Sequence, residues 1–203
     1  MDDDFDVTAC LEKVRRDDQQ ACRELVEYLY PMVIRIVRAN LPRRVLEEDL
    51  AQEIFLKMFR RMHQYHGKVP FANWVSRIAV TTCIDHLRAQ KRRPELRLAD
   101  LSEAAADTLM AVVRDTQVED PARAVAAREL LEKLLDTLGP TDRIIINMLD
   151  LQQQTLAEIS AKTGWSETMI KVRAFRARRK LRRAFERLQA SEDRSSPDQR
   201  TDT

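Results

Sequence analysis

The stretch that decides the fold lies between residues 155 and 183, where the chain has the sequence TLAEISAKTGWSETMIKVRAFRARRKLRR. Thr155 and Glu158 have the spacing of a capping box, in which two side chains satisfy backbone N–H groups at the start of a helix. Gly164 then supplies a turn, and Ser166 is placed to cap a second, longer helix. A short capped helix, a tight turn and a basic helix together predict a helix-turn-helix.

The second helix of this pair has the charge of a DNA-binding element. Between Lys171 and Arg187, arginine and lysine face a single acid, Glu186. In a helix-turn-helix, the first turns of the second helix enter the major groove, and arginines reach phosphate. A solvated basic helix in a bundle is the alternative. Because capping, a turn glycine and a one-sided excess of arginine coincide here, the pattern favours DNA binding.

Helical patterning continues outside this stretch. Only 3 glycines occur among the 203 residues, too few for the turns of a β-rich fold. Apolar residues recur at helical spacing over 7–40, where the pattern is broken near Asp17. The same spacing is found over 46–62, and again from Phe71 to a basic run that ends at Pro94. Beyond Pro121 the pattern predicts further helices, which cover 125–138, 143–151 and 155–162.

The predicted fold is therefore all-α, with two small helical domains joined by an acidic linker. Both ends of the linker are marked by proline, and its alanine-rich sequence shows no sustained apolar stripe. The tail after the basic helix is polar and is expected to be disordered. The predicted divisions are a first domain over 1–94, a linker over 95–121, a second domain over 122–190 and a tail over 191–203.

Composition and spacing exclude several classes of function. No apolar run approaches the length of a membrane span, and the acidic N-terminus is unlike a signal peptide, so we expect a cytoplasmic protein without membrane insertion. The cysteines Cys10, Cys22 and Cys83 form no CxxC pair and are expected to be free thiols.

The pairs His63–His66 and Cys83–His86 lack further ligands, so no metal site is predicted. Neither a cofactor loop nor a nucleophile with a histidine base is recognisable, so no enzyme is expected.

Two further patterns each leave two interpretations open. Asp49, Gln52 and Glu53 open a helix that has an apolar stripe. First-turn acids stabilise a helix through its dipole, but they also suit a face that docks a partner. Trp74 and Arg77 precede a basic run, a combination that suits unstacked single-stranded nucleic acid. Trp74 also lies at helical spacing from other apolar residues, which is typical of a core position.

At these residues the chain resembles a known family. The segments DLAQEIF (49–55), FANWVSRIA (71–79) and IDHLR (84–88) resemble region 2 of extracytoplasmic-function (ECF) sigma factors of the sigma-70 family. The sequence from Leu138 to Arg178 resembles region 4 of the same group. The order of the segments, their spacing and the acidic linker between them match as well.

The resemblance implies an alternative sigma factor that binds the β′ and β subunits of core RNA polymerase, recognises promoter DNA and starts transcription. It also implies regulation by an anti-sigma factor. Docking on the β′ coiled coil is implied for Asp49, Gln52, Glu53 and Phe55. Contacts with the −10 element are implied for His66, Lys68, Trp74, Arg77, Thr81, Arg88, Arg92 and Arg93. Contacts with the −35 element are implied for Ser166, Thr168, Lys171, Val172, Arg173, Phe175, Arg176 and Arg179.

A second class of function stays open from the residues alone. A stand-alone helix-turn-helix regulator would carry the same C-terminal motif behind an N-terminal ligand or dimerisation domain. Such a regulator needs neither the acidic face around Asp49 nor the aromatic and basic helix that contains Trp74. These two features favour the sigma factor.

Overall fold

Every regular element that the structure describes is a helix. The computed structural model describes residues 5–41, 47–92 and 121–195. The all-α prediction is confirmed for these residues. The helices are α1 (Val7–Val14), α2 (Gln19–Asn40), α3 (Glu47–Arg61), α4 (Phe71–Lys91), α5 (Pro121–Thr137), α6 (Pro140–Ile146), α7 (Leu156–Thr163) and α8 (Glu167–Ser195), with a 3₁₀ turn at Met62–Gln64 and a π-helical turn at Asn147–Leu151.

The N-terminal unit is formed by α1 to α4. The predicted break near Asp17 is confirmed, since Asp17 has a φ of 61° and the Asp18 carboxylate accepts from the backbone N–H groups of Gln20 and Ala21, at 2.9 and 3.1 Å. Helices α2, α3 and α4 then bury their apolar faces against one another, as the periodicity predicts. The buried side chains at the centre of this unit include Leu25, Leu29, Val33, Ile54, Met58, Val75 and Ala79.

The C-terminal unit is formed by α5 to α8. The capping box at the start of α7 is confirmed, since the Thr155 N–H donates to Glu158 Oε2 at 2.7 Å and the Glu158 N–H donates to Thr155 Oγ1 at 3.2 Å. Gly164 ends α7 in the left-handed conformation with a φ of 78°, and the Met169 N–H donates to Ser166 Oγ at 3.3 Å. The helix-turn-helix prediction therefore matches the structure.

Two predicted helix boundaries of this unit need correction, and two predicted segments lie largely outside the described residues. Helix α6 begins at Pro140 rather than Arg143, because proline has no N–H to lose at the first helical position. Helix α8 continues to Ser195, so the first residues of the predicted tail over 191–203 are helical. The linker lies outside the described residues except for Pro121, where α5 begins, and so does the tail beyond Ser195.

A buried arginine fastens α5 to α6. Arg143 is almost fully buried, and its guanidinium donates to Glu132 and, at 2.6 Å, to Asp136. A buried cation needs such partners because its desolvation is otherwise unfavourable. The pair of carboxylates on α5 therefore sets the angle at which α6 leaves that helix.

The apolar cores of the two units are continuous. Helix α4 packs against α6 and α7, and a single buried cluster joins the residues of α2, α3 and α4 to Ile144, Ile145, Met148, Ile159 and Ile170. Sequence patterning predicts two units but not this contact between them. The described residues therefore form one packed body.

Candidate nucleic-acid interface

Helix α8 presents one face to solvent along its first turns. Ile170, Ala174 and Ala177 are buried against the neighbouring helices, whereas Val172 is 44% exposed and Phe175 is 69% exposed. An exposed apolar pair on a helix that is otherwise basic is unusual for a merely solvated surface. The residues that share this outward face with the pair are Thr168, Lys171, Arg176, Arg179, Arg182 and Arg183.

Two arginines of α8 form ion pairs with neighbouring elements of the C-terminal unit. Arg173 donates to Asp142 of α6 at 2.7 Å, and Arg178 donates to Asp150 of the π-helical turn at 2.5 Å. The hydrogen bond with Asp150 raises the pKa of Arg178 above its ordinary value. Both guanidinium groups therefore orient α8 and point away from its outward face. Arg173 was expected among the DNA contacts, and the structure places it beside that face.

A second surface follows the loop before α4. His66 and Lys68 are exposed on either side of Gly67, whose φ is 74°. The Tyr65 hydroxyl donates to the carbonyl of Val69 at 2.9 Å and so ties the two ends of the loop together. The loop therefore presents two nitrogen-bearing side chains from a fixed backbone.

Trp74 lies in an aromatic cluster behind this loop. Its ring centroid is 5.5 Å from that of Phe71 and 5.5 Å from that of Tyr65, which are themselves 4.9 Å apart. The indole is half-buried rather than fully enclosed. Trp74 can therefore be a core residue, since one side of its ring packs in the cluster. It can also be a stacking residue, since the rest of the ring is accessible to an unstacked base.

The remaining predicted −10 residues follow α4 towards its C-terminus. Thr81 is exposed and its hydroxyl donates to the Arg77 carbonyl at 2.7 Å, while Arg88 is exposed and pairs with Asp85 at 3.1 Å. Arg92 is exposed at the end of the helix. Arg77 is half-buried. Arg93 lies outside the described residues.

The third surface is the polar face of α3. Asp49, Gln52 and Glu53 are exposed, and Glu53 forms an ion pair with Lys57 at 2.7 Å. Phe55 differs from them, because it is only 7% exposed and belongs to the core. Phe55 therefore packs behind the polar face of α3 and is not part of it.

Sequence reasoning missed one residue of this face. Leu56 is 49% exposed although it is large and apolar, and it lies one turn after Gln52. The signal was present in the sequence, since Leu56 falls outside the four-residue repeat of Leu50, Ile54 and Met58 that builds the core. The face thus combines acids with one exposed apolar side chain.

Other kinds of site find no support in the part of the chain that the structure describes. Among residues 5–41, 47–92 and 121–195, no three histidine, cysteine or acidic side chains are grouped as metal ligands. Burial raises the pKa of the Cys83 thiol to about 12, which disfavours the reactive thiolate. The helices of these ranges include none that is long and apolar enough to cross a membrane.

Comparison with known proteins agrees with the geometry of these surfaces. Sigma-70 region 2 matches residues 25–93 and Sigma-70 region 4 matches residues 128–181. The chain is 29% identical over 171 residues to the ECF RNA polymerase sigma-E factor of Escherichia coli K12, covering 83% of this chain and 88% of the relative. It is 25% identical over 181 residues to the RNA polymerase sigma-H factor of Pseudomonas aeruginosa, covering 88% and 93%.

A solved structure has a similar fold. The solved structure of CnrH in complex with the cytosolic domain of CnrY covers 88% of this chain and 96% of its own, with a TM-score of 0.50 and 20% identity. The two matched regions occur in the predicted order and include the three exposed surfaces except Arg182 and Arg183, which follow the second match. The chain belongs to the sigma-70 family, within its ECF group, and is an alternative sigma factor that directs transcription initiation.

Phe55 and Leu56 are neighbours on α3 but differ in burial, so their substitution should have different effects on stability. Phe55→Ala removes a buried ring and should lower the free energy of unfolding by about 3–4 kcal/mol. Leu56→Ala removes an exposed side chain and should change it by no more than about 0.5 kcal/mol. Chemical denaturation followed by circular dichroism measures both changes. Equal destabilisation by the two substitutions would contradict the orientation of α3.

Proposed function

We propose that the chain binds core RNA polymerase through α3, holds the opened −10 strand on α4 and its preceding loop, and reads the −35 element with α8. The observation that carries this proposal is the exposed face of α3, where acids surround Leu56 while Phe55 is buried behind them. A stand-alone regulator has no use for such a face beside a second nucleic-acid surface.

The face of α3 has the composition of a protein docking site. An exposed apolar side chain can enter a pocket of the partner and supply most of the affinity, and surrounding charges improve orientation and association rate. Leu56 would be the anchor, and Asp49 and Glu53 would meet basic side chains of the β′ coiled coil. Gln52, between them, can both donate and accept hydrogen bonds.

The surface on α4 suits single-stranded rather than duplex DNA. Unstacked bases bind aromatic rings, and their backbone follows positive charge. The half-buried indole of Trp74 lies behind the loop that exposes His66 and Lys68, and α4 continues towards Arg88 and Arg92. A flipped non-template base would bind near the loop while the strand follows the helix.

Helix α8 suits duplex DNA. Val172 and Phe175 can contact thymine methyl groups in the major groove, and Arg176 can donate to guanine. Arg179, Arg182 and Arg183 lie further along the outward face, where a helix leaves the bases and reaches phosphate. The helix would thus read sequence with its first turns and gain affinity with its later ones.

Catalysis in this proposal belongs to the polymerase, and the chain itself needs no cofactor. A factor with these contacts acts where polymerase and promoter DNA meet, in the cytoplasm. We also expect a protein inhibitor of the anti-sigma class. CnrH, which shares this fold, was solved with the cytosolic domain of CnrY bound, and an equivalent partner here would compete for the exposed faces.

Reversal of charge on α3 tests polymerase docking. Asp49→Arg combined with Glu53→Arg should abolish retention by core polymerase, since like charges would then oppose each other across the contact. Glu24→Arg with Glu27→Arg makes the same charge change on exposed residues of α2 and is the control. A pull-down with core polymerase measures retention. Full retention of the α3 variant, with an unchanged circular dichroism spectrum, would contradict this docking face.

A pair of arginine substitutions separates reading from anchoring on α8. Arg176→Ala should change the preferred −35 sequence, because each lost base contact costs about 1–3 kcal/mol. Arg182→Ala should weaken all promoters alike and reduce the salt dependence of binding by a slope of roughly one. Transcription from a randomised −35 library and holoenzyme binding across a salt series measure the two effects. A changed preference for Arg182→Ala, with only a uniform loss for Arg176→Ala, would contradict this docking register.

A further inference from the structure

Asn73 lies in the first turn of α4, on the surface that this helix and the loop before it form, which we call the −10 surface. Its backbone N–H donates to the carbonyl of Pro70 at 3.0 Å, and its side chain is half-buried. Trp74 follows directly, so the two side chains leave the same turn about 100° apart around the helix axis. An amide and a half-buried aromatic ring therefore stand side by side at the start of this surface.

The hydrogen bonding of Asn73 differs from that of the other hydroxyl and amide side chains of α4. Those side chains all have partners within the chain: Ser76 with the Ala72 carbonyl, Thr81 with the Arg77 carbonyl, Thr82 with Lys57, and Gln90 with His86. Among the described residues, the carboxamide of Asn73 has none. Its oxygen can accept and its nitrogen can donate. The side chain is therefore free to bind a group from outside the chain.

Thr81 is more restricted, although the resemblance assigns it a −10 contact. Its hydroxyl donates to the Arg77 carbonyl at 2.7 Å, and a hydroxyl has one proton. While this bond is formed, Thr81 can accept from a base or contact it with its methyl group. It cannot make the paired donor and acceptor contact that distinguishes one base edge from another. Base reading on this helix therefore needs another side chain.

The position of Asn73 suits this task. Asn73, Arg77 and Thr81 are spaced four residues apart, so they follow one side of α4. Lys68 is exposed on the loop before the helix, and Trp74 offers part of its ring. In a single strand held by cations and an aromatic ring, the base edges are no longer paired and can be read by hydrogen bonds. A base beside Trp74 comes within reach of the free amide.

From these observations we propose that Asn73 is a base-reading residue of the −10 surface, and that the base it reads is an unstacked adenine. Adenine carries its exocyclic amine between two ring nitrogens. A carboxamide can therefore accept from the amine and donate to a ring nitrogen on either edge of this base, whereas cytosine offers such a pair on one edge alone. The inference rests on the function proposed above, and it assigns sequence preference to a residue outside the set that the resemblance implies.

Two substitutions at Asn73 remove the reading group and remain compatible with the helix. Asn73→Ala deletes the carboxamide, and alanine has the higher helix propensity. Asn73→Asp keeps the shape and the acceptors but loses the donor, and a carboxylate in the first turn interacts favourably with the helix dipole. Gln90→Ala removes a half-buried amide near the other end of α4 and is the matched control.

Transcription by reconstituted holoenzyme from promoters with a randomised −10 region measures the base preference. The wild type and Gln90→Ala should both prefer adenine at one position. Asn73→Ala and Asn73→Asp should reduce that preference at least ~5-fold and leave the other positions unchanged. A preference that is unchanged at every position in Asn73→Ala would overturn the assignment, and so would the loss of a preference for another base.

A base analogue locates the contact. Purine in place of adenine at the preferred position of a single-stranded −10 oligonucleotide removes the exocyclic amine. This change should weaken binding to the wild-type holoenzyme at least ~5-fold and have no effect on the Asn73→Ala holoenzyme, because the contact is already absent there. Equal losses in the two proteins would assign the amine to a different residue and overturn the proposal.

The same library separates this inference from the proposed function. A wild type with defined −10 and −35 preferences, none of which depends on Asn73, would overturn the reading by Asn73 and still support promoter recognition through α4 and α8. A wild type with no preference over the −10 positions would contradict the proposed function, and this inference with it. Circular dichroism of each variant confirms that the helices are intact.

Discussion

The burial of α4 among the other helices is the constraint on which the rest of the structure depends. One side of this helix completes the core formed with α2 and α3, through residues such as Val75 and Ala79. Another side receives α6 and α7, and what remains carries the predicted −10 contacts. Because four helices pack against α4, the strip that remains for the predicted DNA contacts is narrow. The same crowding leaves Arg77 half-buried, close to the turn at Gly164 of the C-terminal unit.

Short-range chemistry made the helices and the helix-turn-helix predictable. Thr155 and Glu158 lie three residues apart and interact with each other, so their spacing alone indicates the start of α7. The periodicity of Leu50, Ile54 and Met58 likewise predicts the buried face of α3. The same pattern contained the orientation of Leu56, which was missed because the polar face of α3 was considered for its charge alone. The boundary at Pro140 was missed because apolar periodicity begins later than the helix.

Long-range contacts were not accessible in the same way. Asn40 and Asn147 are 107 residues apart, and neither has a sequence context that predicts a buried partner. Arg173 could not be separated from the outward arginines of α8 without knowing that Asp142 lies beside it. In both cases the deciding partner comes from another helix, and only the packed structure brings the two together. The contact between the units therefore had to be observed, whereas the identity of each unit could be predicted.

Under the function proposed above, this chain recognises promoters only together with core polymerase. The most direct test is footprinting of DNA selected from a random library, with the chain alone, with core polymerase alone and with both. Protection of paired −10 and −35 elements, and permanganate reactivity of thymines near −10, should require both proteins. Full protection of the same elements by the chain alone would contradict it and would favour a stand-alone helix-turn-helix regulator.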